Sequence, residues 1–109
     1  RKSVLIYVCS PLRGDTPYSI RKYNRNLKNA AQYSNTVRKE GHTPVTPHLY
    51  FSAFIDDHVP EERADGIRMG QELLRICDEV WVFAENGTSE GMRTEIELAS
   101  SIGKPVRYK

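Results

Sequence analysis

EVWVFAENGTSEGMRTE, residues 79–95, joins an apolar run to a helical pattern through a polar, glycine-containing segment. Residues 79–84 have the composition of a buried strand, and residues 95–102 have helical periodicity and are followed by Gly103, a common residue after a helix. Residues 85–91 are therefore predicted to form a loop at the carboxyl end of a strand, where open α/β sheets bind their ligands. The loop offers hydroxyls, glycines and the N–H groups of a helix N-terminus, which suit an anion or a sugar.

The flanking segments continue this alternation of strands and helices. Apolar, β-branched runs predict strands, and three- and four-residue spacing of apolar side chains predicts helices. The predicted strands are residues 3–9, 43–48, 79–84 and 105–108, and the predicted helices are residues 19–40, 60–77 and 90–102. This order implies a three-layer, flavodoxin- or Rossmann-like α/β fold. Its small parallel sheet would have four to five strands in the order 2-1-3-4, with right-handed crossovers and helices on both faces.

Length and composition bound the classes of function. The chain has 109 residues, of which 39% are hydrophobic and 28% charged, which predicts a single domain, residues 1–109, with an ordinary soluble balance. A net charge of +2, with scattered basic residues, gives no reason to expect a nucleic-acid polymer as partner. The apolar runs are shorter than the roughly 20 residues that span a bilayer, and no signal peptide is recognised, so no membrane partner is expected.

Two cysteines, Cys9 and Cys77, each lie in an apolar stretch. Buried, reduced thiols are expected, because free cysteine is among the most buried residue types, and a cytoplasmic location is the corresponding expectation. The Cys and His spacing does not fit zinc, and the nucleotide-binding signatures GxxxxGK[ST] and GxGxxG do not occur in the sequence. No metal or other cofactor is therefore expected.

The first predicted strand runs into a second suggestive loop within residues 7–14, YVCSPLRG. In the predicted strand order the first and third strands are neighbours, so their carboxyl ends border one crevice. Arg13 would then face the loop that contains Ser89, and an arginine beside a helix N-terminus suits a phosphate or a carboxylate. The alternative is a solvated surface arginine on a simple turn.

Glu95, one turn into the third predicted helix, is the candidate catalytic acid. A carboxylate can attack an anomeric carbon or stabilise the oxocarbenium-like species that forms there. The alternative is an exposed helix residue that pairs with Arg93 or Lys104.

Residues 49–60 form a predicted connection longer than a typical α/β loop, and such loops are often functional. His48 and the run Asp56-Asp57-His58 could hydrogen-bond a nucleobase or a sugar hydroxyl, or form a polar loop with capping acids. Three aromatic residues of this segment are expected to pack in the core, with stacking on a base as the alternative: Tyr50, Phe51 and Phe54. Trp81, in the middle of a predicted strand, is also expected in the core.

Three segments resemble the nucleoside 2-deoxyribosyltransferase superfamily, in particular its small bacterial and phage members and, more distantly, the 2′-deoxynucleoside 5′-phosphate N-hydrolases. Residues 7–14, YVCSPLRG, are similar to a first-strand loop of the form Y-x-C-G-S-I-R-G. Residues 77–82, CDEVWV, are similar to the strand A-D-x-V-V-A. Residues 89–105 contain SEGMRTE, then Leu-Ala and Gly-Lys-Pro, similar to S-x-G-x-G-x-E-L-G-x-A ending in G-K-P.

The resemblance implies cleavage of a C1′–N bond in a nucleoside or nucleoside 5′-monophosphate, with water or a second base as the acceptor of the sugar. It places Glu95 on the family's nucleophilic glutamate. It places contacts to the substrate on the two loops, at Tyr7, Ser10, Arg13, Ser89, Gly91 and Met92. His48 and Asp57 are further candidates for substrate binding.

The sequence departs from the family at several points, among them Met92 and Arg93, which stand where the family has small residues. Gly70 occupies the position of a helical aspartate that is thought to protonate the leaving base, so the general acid is missing or replaced, with Asp57 or His48 as candidates. Pro11 removes one backbone donor from the first loop.

Two functions from different classes follow. The first is N-glycosidic bond cleavage or transfer, favoured by the retention of Glu95, and the second is a non-catalytic nucleotide-binding or sensing module, favoured by Gly70. An interaction protein with a vestigial crevice is a third possibility. The small sheet and the family's habit also imply a homodimer or a higher homo-oligomer, for which the second predicted helix offers three apolar residues, Met69, Leu73 and Ile76.

Overall fold

The computed structural model describes residues 3–13 and 19–109. Its strands and helices are, in chain order, β1 (Leu5–Cys9), α1 (Ile20–Lys39), β2 (Thr43–Val45), α2 (Pro47–Phe51), α3 (Pro60–Ile76), β3 (Glu79–Val82), α4 (Glu90–Ser101) and β4 (Val106–Tyr108). Gly14, the last residue of the YVCSPLRG segment, lies outside the described residues. None of the helices in the described ranges combines the length and the apolarity needed to cross a bilayer.

The strands form one parallel sheet in the order β2-β1-β3-β4, which confirms the predicted α/β fold and strand order. Tyr7 in β1 is in register with Val45 of β2 on one side and with Val80 of β3 on the other. Strand β4 pairs with the outer edge of β3, where Val82 lies opposite Tyr108. Because β1 and β3 are parallel neighbours, their carboxyl ends border the same crevice.

Alternate residues of the central strands point to opposite faces of the sheet and build two cores. The core between the sheet, α3 and α4 contains Tyr7, Cys9, Leu74, Cys77, Val80, Val82, Met92 and Ala99. The core between the sheet and α1 contains Ile6, Val8, Tyr33, Val37, Trp81 and Phe83. Trp81 is therefore a core residue, as predicted, and both cysteines are buried and free.

Helix α4 begins and ends at residues suited to those positions. Ser89 has an extended backbone at the N-cap, and its Oγ accepts the Met92 N–H at 3.3 Å, the capping bond typical of serine. Gly103 follows the C-cap residue with φ of 76°, a left-handed conformation that glycine adopts without a Cβ clash. These two ends set the bounds of α4, so that Glu95 falls in its second turn.

The segment after β2 differs from the prediction. Strand β2 is only three residues long, and Pro47–Phe51 form a short helix instead of the end of a strand and the start of a loop. Pro47 explains the change, because proline lacks the N–H needed for strand pairing and its fixed φ suits the first turn of a helix. Tyr50 is 67% exposed and Phe54 is 57% exposed, so the prediction that these residues pack in the core is wrong for both.

Candidate functional site

A cleft of ≈ 330 Å³ opens beside the carboxyl ends of β1 and β3, lined by residues of both loops and of α2, α3 and α4. All the site residues singled out from the sequence line it: Tyr7, Ser10, Arg13, His48, Asp57, Ser89, Gly91, Met92 and Glu95. Pockets for small molecules start at about 300 Å³, so the cleft has room for one small organic molecule.

Tyr7 and Glu95 form the central contact of the cleft. The Tyr7 side chain lies on the α3 and α4 face of the sheet, and its hydroxyl donates to Glu95 Oε2 at 2.6 Å, a length typical of a bond to a carboxylate. Glu95 is only partly exposed. The alternative of an exposed Glu95 paired with Arg93 does not hold, because Arg93 donates to the Thr88 carbonyl oxygen at 3.0 Å.

The pKa of Glu95 is raised above its usual value, first because burial removes the hydration of the carboxylate. Three neighbours lower the same pKa: the charge of His48, the Tyr7 hydroxyl, which hydrogen-bonds to the carboxylate, and the Cys9 thiol. Burial and the charge of Glu95 raise the pKa values of both Tyr7 and Cys9. Tyr7 and Cys9 therefore stay protonated and act as donors, and Glu95 is the group among them that changes its charge.

A hydrogen bond between His48 and Ser10 connects α2 to the loop after β1. His48 Nε2 lies 2.7 Å from the Ser10 carbonyl oxygen, and because a carbonyl only accepts, Nε2 carries the hydrogen. Ser10 itself is 2% exposed, and its Oγ has no hydrogen-bond partner among residues 3–13 and 19–109. A buried hydroxyl without a partner is costly and calls for an explanation.

Arg13 lines the cleft together with the N-terminal turn of α4, as the predicted crevice requires. Its loop is tied to α1 by the Asn26 side chain, which donates to the Leu12 carbonyl oxygen at 2.7 Å. The partial positive charge of a helix N-terminus favours an anion, but Glu90 belongs to the same turn. Arg13 and an acid therefore share this end of the cleft.

Sequence reasoning missed that residues 87–91, GTSEG, have the form G-x-S-x-G, the signature of a nucleophilic serine on a strained strand-to-helix turn. Ser89 has φ of −90° and ψ of 168°, which is unstrained extended backbone. Its Oγ accepts the Met92 N–H and so caps α4. Ser89 is thus a helix cap, and its geometry does not support a serine nucleophile.

Two glycines of α3 present backbone to the cleft, between other lining residues of the same helix. Gly66 and Gly70, one helical turn apart, both line the cleft. Gly70 is buried, and a Cβ at this position would lie 3.5 Å from Tyr7 Oη. The side chain of Asp65, on the same helix, is exposed. The backbone of α3 therefore borders the Tyr7–Glu95 pair, without an acid from Gly70.

Sequence reasoning also missed several lining residues: Leu12, Tyr23, Pro47, Ser52, Ile55, Arg63, Gly66, Ile67, Gln71 and Thr94. A signal existed for Gly66, because two glycines four residues apart inside a helical pattern are costly unless packing or function requires them. Pro47 and Ser52 gave no such signal, since helix α2 was not predicted.

Comparison with known proteins places this architecture. Residues 4–109 match a protein family described as a domain of unknown function, DUF7768. No curated protein matches the chain. Among solved structures, a 2-deoxyribosyltransferase from the psychrotolerant bacterium Bacillus psychrosaccharolyticus is similar, with a TM-score of 0.72 and 21% identity over 95% of this chain and 70% of that chain. The likeness supports a distant relationship in fold, the coarser part of what the sequence resemblance implies.

Proposed function

This chain belongs to the DUF7768 family, and we propose that it cleaves or transfers the N-glycosidic bond of a nucleoside or nucleoside 5′-monophosphate, with Glu95 as the nucleophile. The observation that carries the proposal is the 2.6 Å hydrogen bond from Tyr7 to Glu95 inside a cleft of ≈ 330 Å³. A carboxylate in a small cleft can act as the nucleophile at an anomeric carbon, and the Tyr7 hydroxyl would hold this one in place. The fold that the chain shares with a 2-deoxyribosyltransferase is consistent with this chemistry.

In the proposed reaction, Glu95 attacks C1′ of the sugar and the C1′–N bond breaks. The bond electrons leave with the base, and the sugar remains as an ester on Glu95. Water or a second base then attacks C1′ and regenerates the carboxylate. Tyr7 would hold Oε2 of Glu95 and leave Oε1 as the attacking atom. The protein itself thus orients the nucleophile, without a contact from the substrate.

The surrounding residues suit the other parts of a nucleotide. The buried Ser10 hydroxyl, Arg13 and the start of α4 at Gly91 offer donors for a 5′-hydroxyl or a 5′-phosphate, with the Met92 side chain lining the cleft beside them. His48 and Asp57 are the proposed contacts to the sugar hydroxyls or the base. The substrate would thus be held at both ends with C1′ beside Glu95.

A binding or sensing module is the second candidate. The observation that favours it is Gly70, which leaves the Tyr7–Glu95 pair without an acid from α3. In that case Glu95 would accept a hydrogen bond from a ligand and remain uncharged or unreactive. Ligand binding alone raises the melting temperature by mass action, so binding and turnover can be separated.

The test is to incubate the protein with a panel of nucleosides and nucleoside 5′-monophosphates and to follow free base by chromatography. We expect base release that Glu95→Gln abolishes, with a glycosyl adduct on the wild-type chain detected by mass spectrometry. The matched control is Glu97→Gln, an exposed glutamate two residues along the same helix, which should keep full activity. Ligand-dependent melting shifts without base release, unchanged in Glu95→Gln, would support the sensing module and contradict the enzyme.

A further inference from the structure

The surroundings of Glu95 limit which leaving groups the cleft can serve. Within the described residues, the side chains that bond to Glu95 or act on its charge are Tyr7, Cys9 and His48. None of them is a carboxylic acid, and the other acids that line the cleft, Asp57 and Glu90, are not among the groups that act on Glu95. On the α3 side, Gly70 offers only backbone, with a Cβ position 3.5 Å from Tyr7 Oη.

A neutral nucleobase is a poor leaving group, because the bond electrons give its ring nitrogen a negative charge unless a proton arrives. A positioned general acid typically contributes about 10²–10⁴-fold to such a step. The Tyr7 hydrogen is engaged by Glu95, and burial holds the pKa values of Tyr7 and Cys9 above their usual range. The Nε2 hydrogen of His48 is engaged by the Ser10 carbonyl oxygen.

We propose that the substrate is a nucleoside or nucleotide whose glycosidic ring system already carries a positive charge, such as a pyridinium riboside or an N7-alkylated purine nucleoside. This inference rests on the proposed function. Glu95 displaces the ring nitrogen at C1′, the C1′–N electron pair neutralises the cationic ring, and the base leaves uncharged with no proton supplied. Water then replaces Glu95 at C1′ and releases one proton to solvent, so each turnover yields the free sugar, the neutral base and one H⁺.

The rest of the cleft suits such a ring. On the α3 side, Gly66 and Gly70 present backbone to the cleft, next to the Ile55 and Tyr7 side chains. Phe51 and Tyr23 also line the cleft, and aromatic rings attract cations through their π faces. The ionised form of Glu95 favours a cationic ring over a neutral one by direct charge attraction.

The experiment compares substrates that differ by one fixed charge. Guanosine is paired with 7-methylguanosine, and uridine with nicotinamide riboside, each also as the 5′-monophosphate and, where stable, as the 2′-deoxy form. Base release is measured by chromatography and divided by the uncatalysed rate, and proton release is followed with a pH indicator. The proteins are the wild type, Glu95→Gln, Gly70→Ala and Gly70→Asp.

For each substrate, kcat/KM is divided by the uncatalysed rate. We expect this quotient to be larger for the cationic member of each pair by at least about 100-fold, the lower end of a general acid's contribution. Gly70→Asp places an acid at position 70, where the wild type has none. It should raise the turnover of guanosine about tenfold or more and so reduce the ratio of cationic to neutral substrate turnover. Gly70→Ala adds the same Cβ without the acid and should leave the ratio unchanged. Circular dichroism and melting curves verify that both variants fold. If Gly70→Asp does not fold, the ratio of cationic to neutral substrate turnover in the wild type tests the inference alone.

Several results would overturn the inference. Efficient cleavage of neutral nucleosides by the wild type refutes it while leaving the proposed function intact, and loss of that cleavage in Asp57→Asn or in His48→Gln would identify the proton donor. A folded Gly70→Asp variant with an unchanged ratio shows that the missing acid is not what limits neutral substrates. Release of base from no substrate at all contradicts the proposed function itself, and the inference falls with it.

Discussion

At Glu95, burial and hydrogen bonding act in opposite directions on one carboxyl group. Burial raises its pKa, while His48, Tyr7 and Cys9 lower it, and the net direction is upward. Because the pKa in the folded protein exceeds that of the unfolded chain, ionising Glu95 destabilises the fold. A charged carboxylate in the cleft at neutral pH therefore costs stability, as is common where a residue is kept for function.

The first prediction concerns the pH dependence of stability. A raised folded-state pKa contributes stability that is complete below the unfolded value, about 4.3 for glutamate, and is lost as the pH rises through the folded pKa. Glutamine does not ionise, so Glu95→Gln should be more stable than the wild type at neutral pH. The difference in stability between the two proteins should grow as the pH rises from the unfolded to the folded pKa of Glu95 and stay constant above that range. Thermal melts at a series of pH values measure this difference.

The control for this measurement is Glu97→Gln on the same helix. That residue is exposed, so the difference in melting temperature between Glu97→Gln and the wild type should not grow with pH. A stabilising effect of Glu95→Gln that is largest in acid and shrinks toward neutrality would contradict the prediction.

The second prediction concerns the tyrosine that bonds to Glu95. Tyr7→Phe removes the 2.6 Å hydrogen bond, and bonds to charged groups contribute ~1.5–3 kcal/mol, so kcat/KM of the proposed reaction should fall about tenfold to a hundredfold. The Tyr7 bond also lowers the pKa of Glu95, so its loss should move the acidic limb of the pH–rate profile to higher pH.

Tyr33→Phe is the matched control for Tyr7→Phe, because Tyr33 also donates to a glutamate, Glu85, but lies in the core on the other face of the sheet. It should leave the pH–rate profile in place. An acidic limb that stays unmoved in Tyr7→Phe would refute the role assigned to that tyrosine.

Among the elements, α4 carries both the proposed nucleophile, Glu95, and the proposed anion-binding turn, so the residue that ends it matters for the candidate site. Gly103 has φ of 76°, and a Cβ there would meet no atom within 4 Å. Gly103→Ala should therefore destabilise the protein through backbone strain alone, by about 1 kcal/mol, or roughly 4–8 °C in a domain of this size. Gly103→Asn should lose less, because asparagine tolerates the left-handed region better. Equal melting temperatures for alanine and glycine would contradict this account.

The elements that can be predicted from the sequence are those with a strong local signal. Strands β1 and β3 are continuous apolar runs, and α4 has a capping serine and a terminating glycine. Helix α2 has only five residues, too few to show a period, and Pro47 fits an edge strand as well as a helix start. The hydrogen bond from His48 to the Ser10 carbonyl oxygen joins residues 38 positions apart, and such a contact leaves no local trace in the sequence.

The same distinction applies to the candidate site. The two loops could be placed together because strand order follows from the alternation of elements, and this brings Arg13 and Glu95 to one cleft. The wall of α3 could not be placed, because which face of a helix borders a cleft depends on its packing. Gly70 was therefore noticed only as a departure from a family pattern, while the structure gives it a physical role beside Tyr7.

At the scale of the whole molecule, the two cores leave large apolar side chains exposed on α2, the turn that follows it, and α3. They are Leu49, Tyr50, Phe54, Ile67 and Ile76. Of the three residues proposed from the sequence for an interface between copies, Leu73 packs against the core and Met69 is partly buried. Ile76 is 64% exposed, so it is the member of the set that a partner could cover. Where exposed apolar side chains form a contiguous patch, that patch is typical of a surface that binds another protein.

The last prediction is that this surface joins copies of the chain. Light scattering after size exclusion at micromolar concentration should give a mass at least twice the 12.5 kDa of one chain. Ile76→Glu should shift the species to 12.5 kDa, because association would bury an unpaired carboxylate. Ile20→Glu, at an isoleucine of α1 that is 59% exposed, is the matched control and should leave the mass unchanged. A wild-type protein that is only a 12.5 kDa species refutes the assembly, and an Ile76→Glu variant that still assembles moves the interface away from this end of α3.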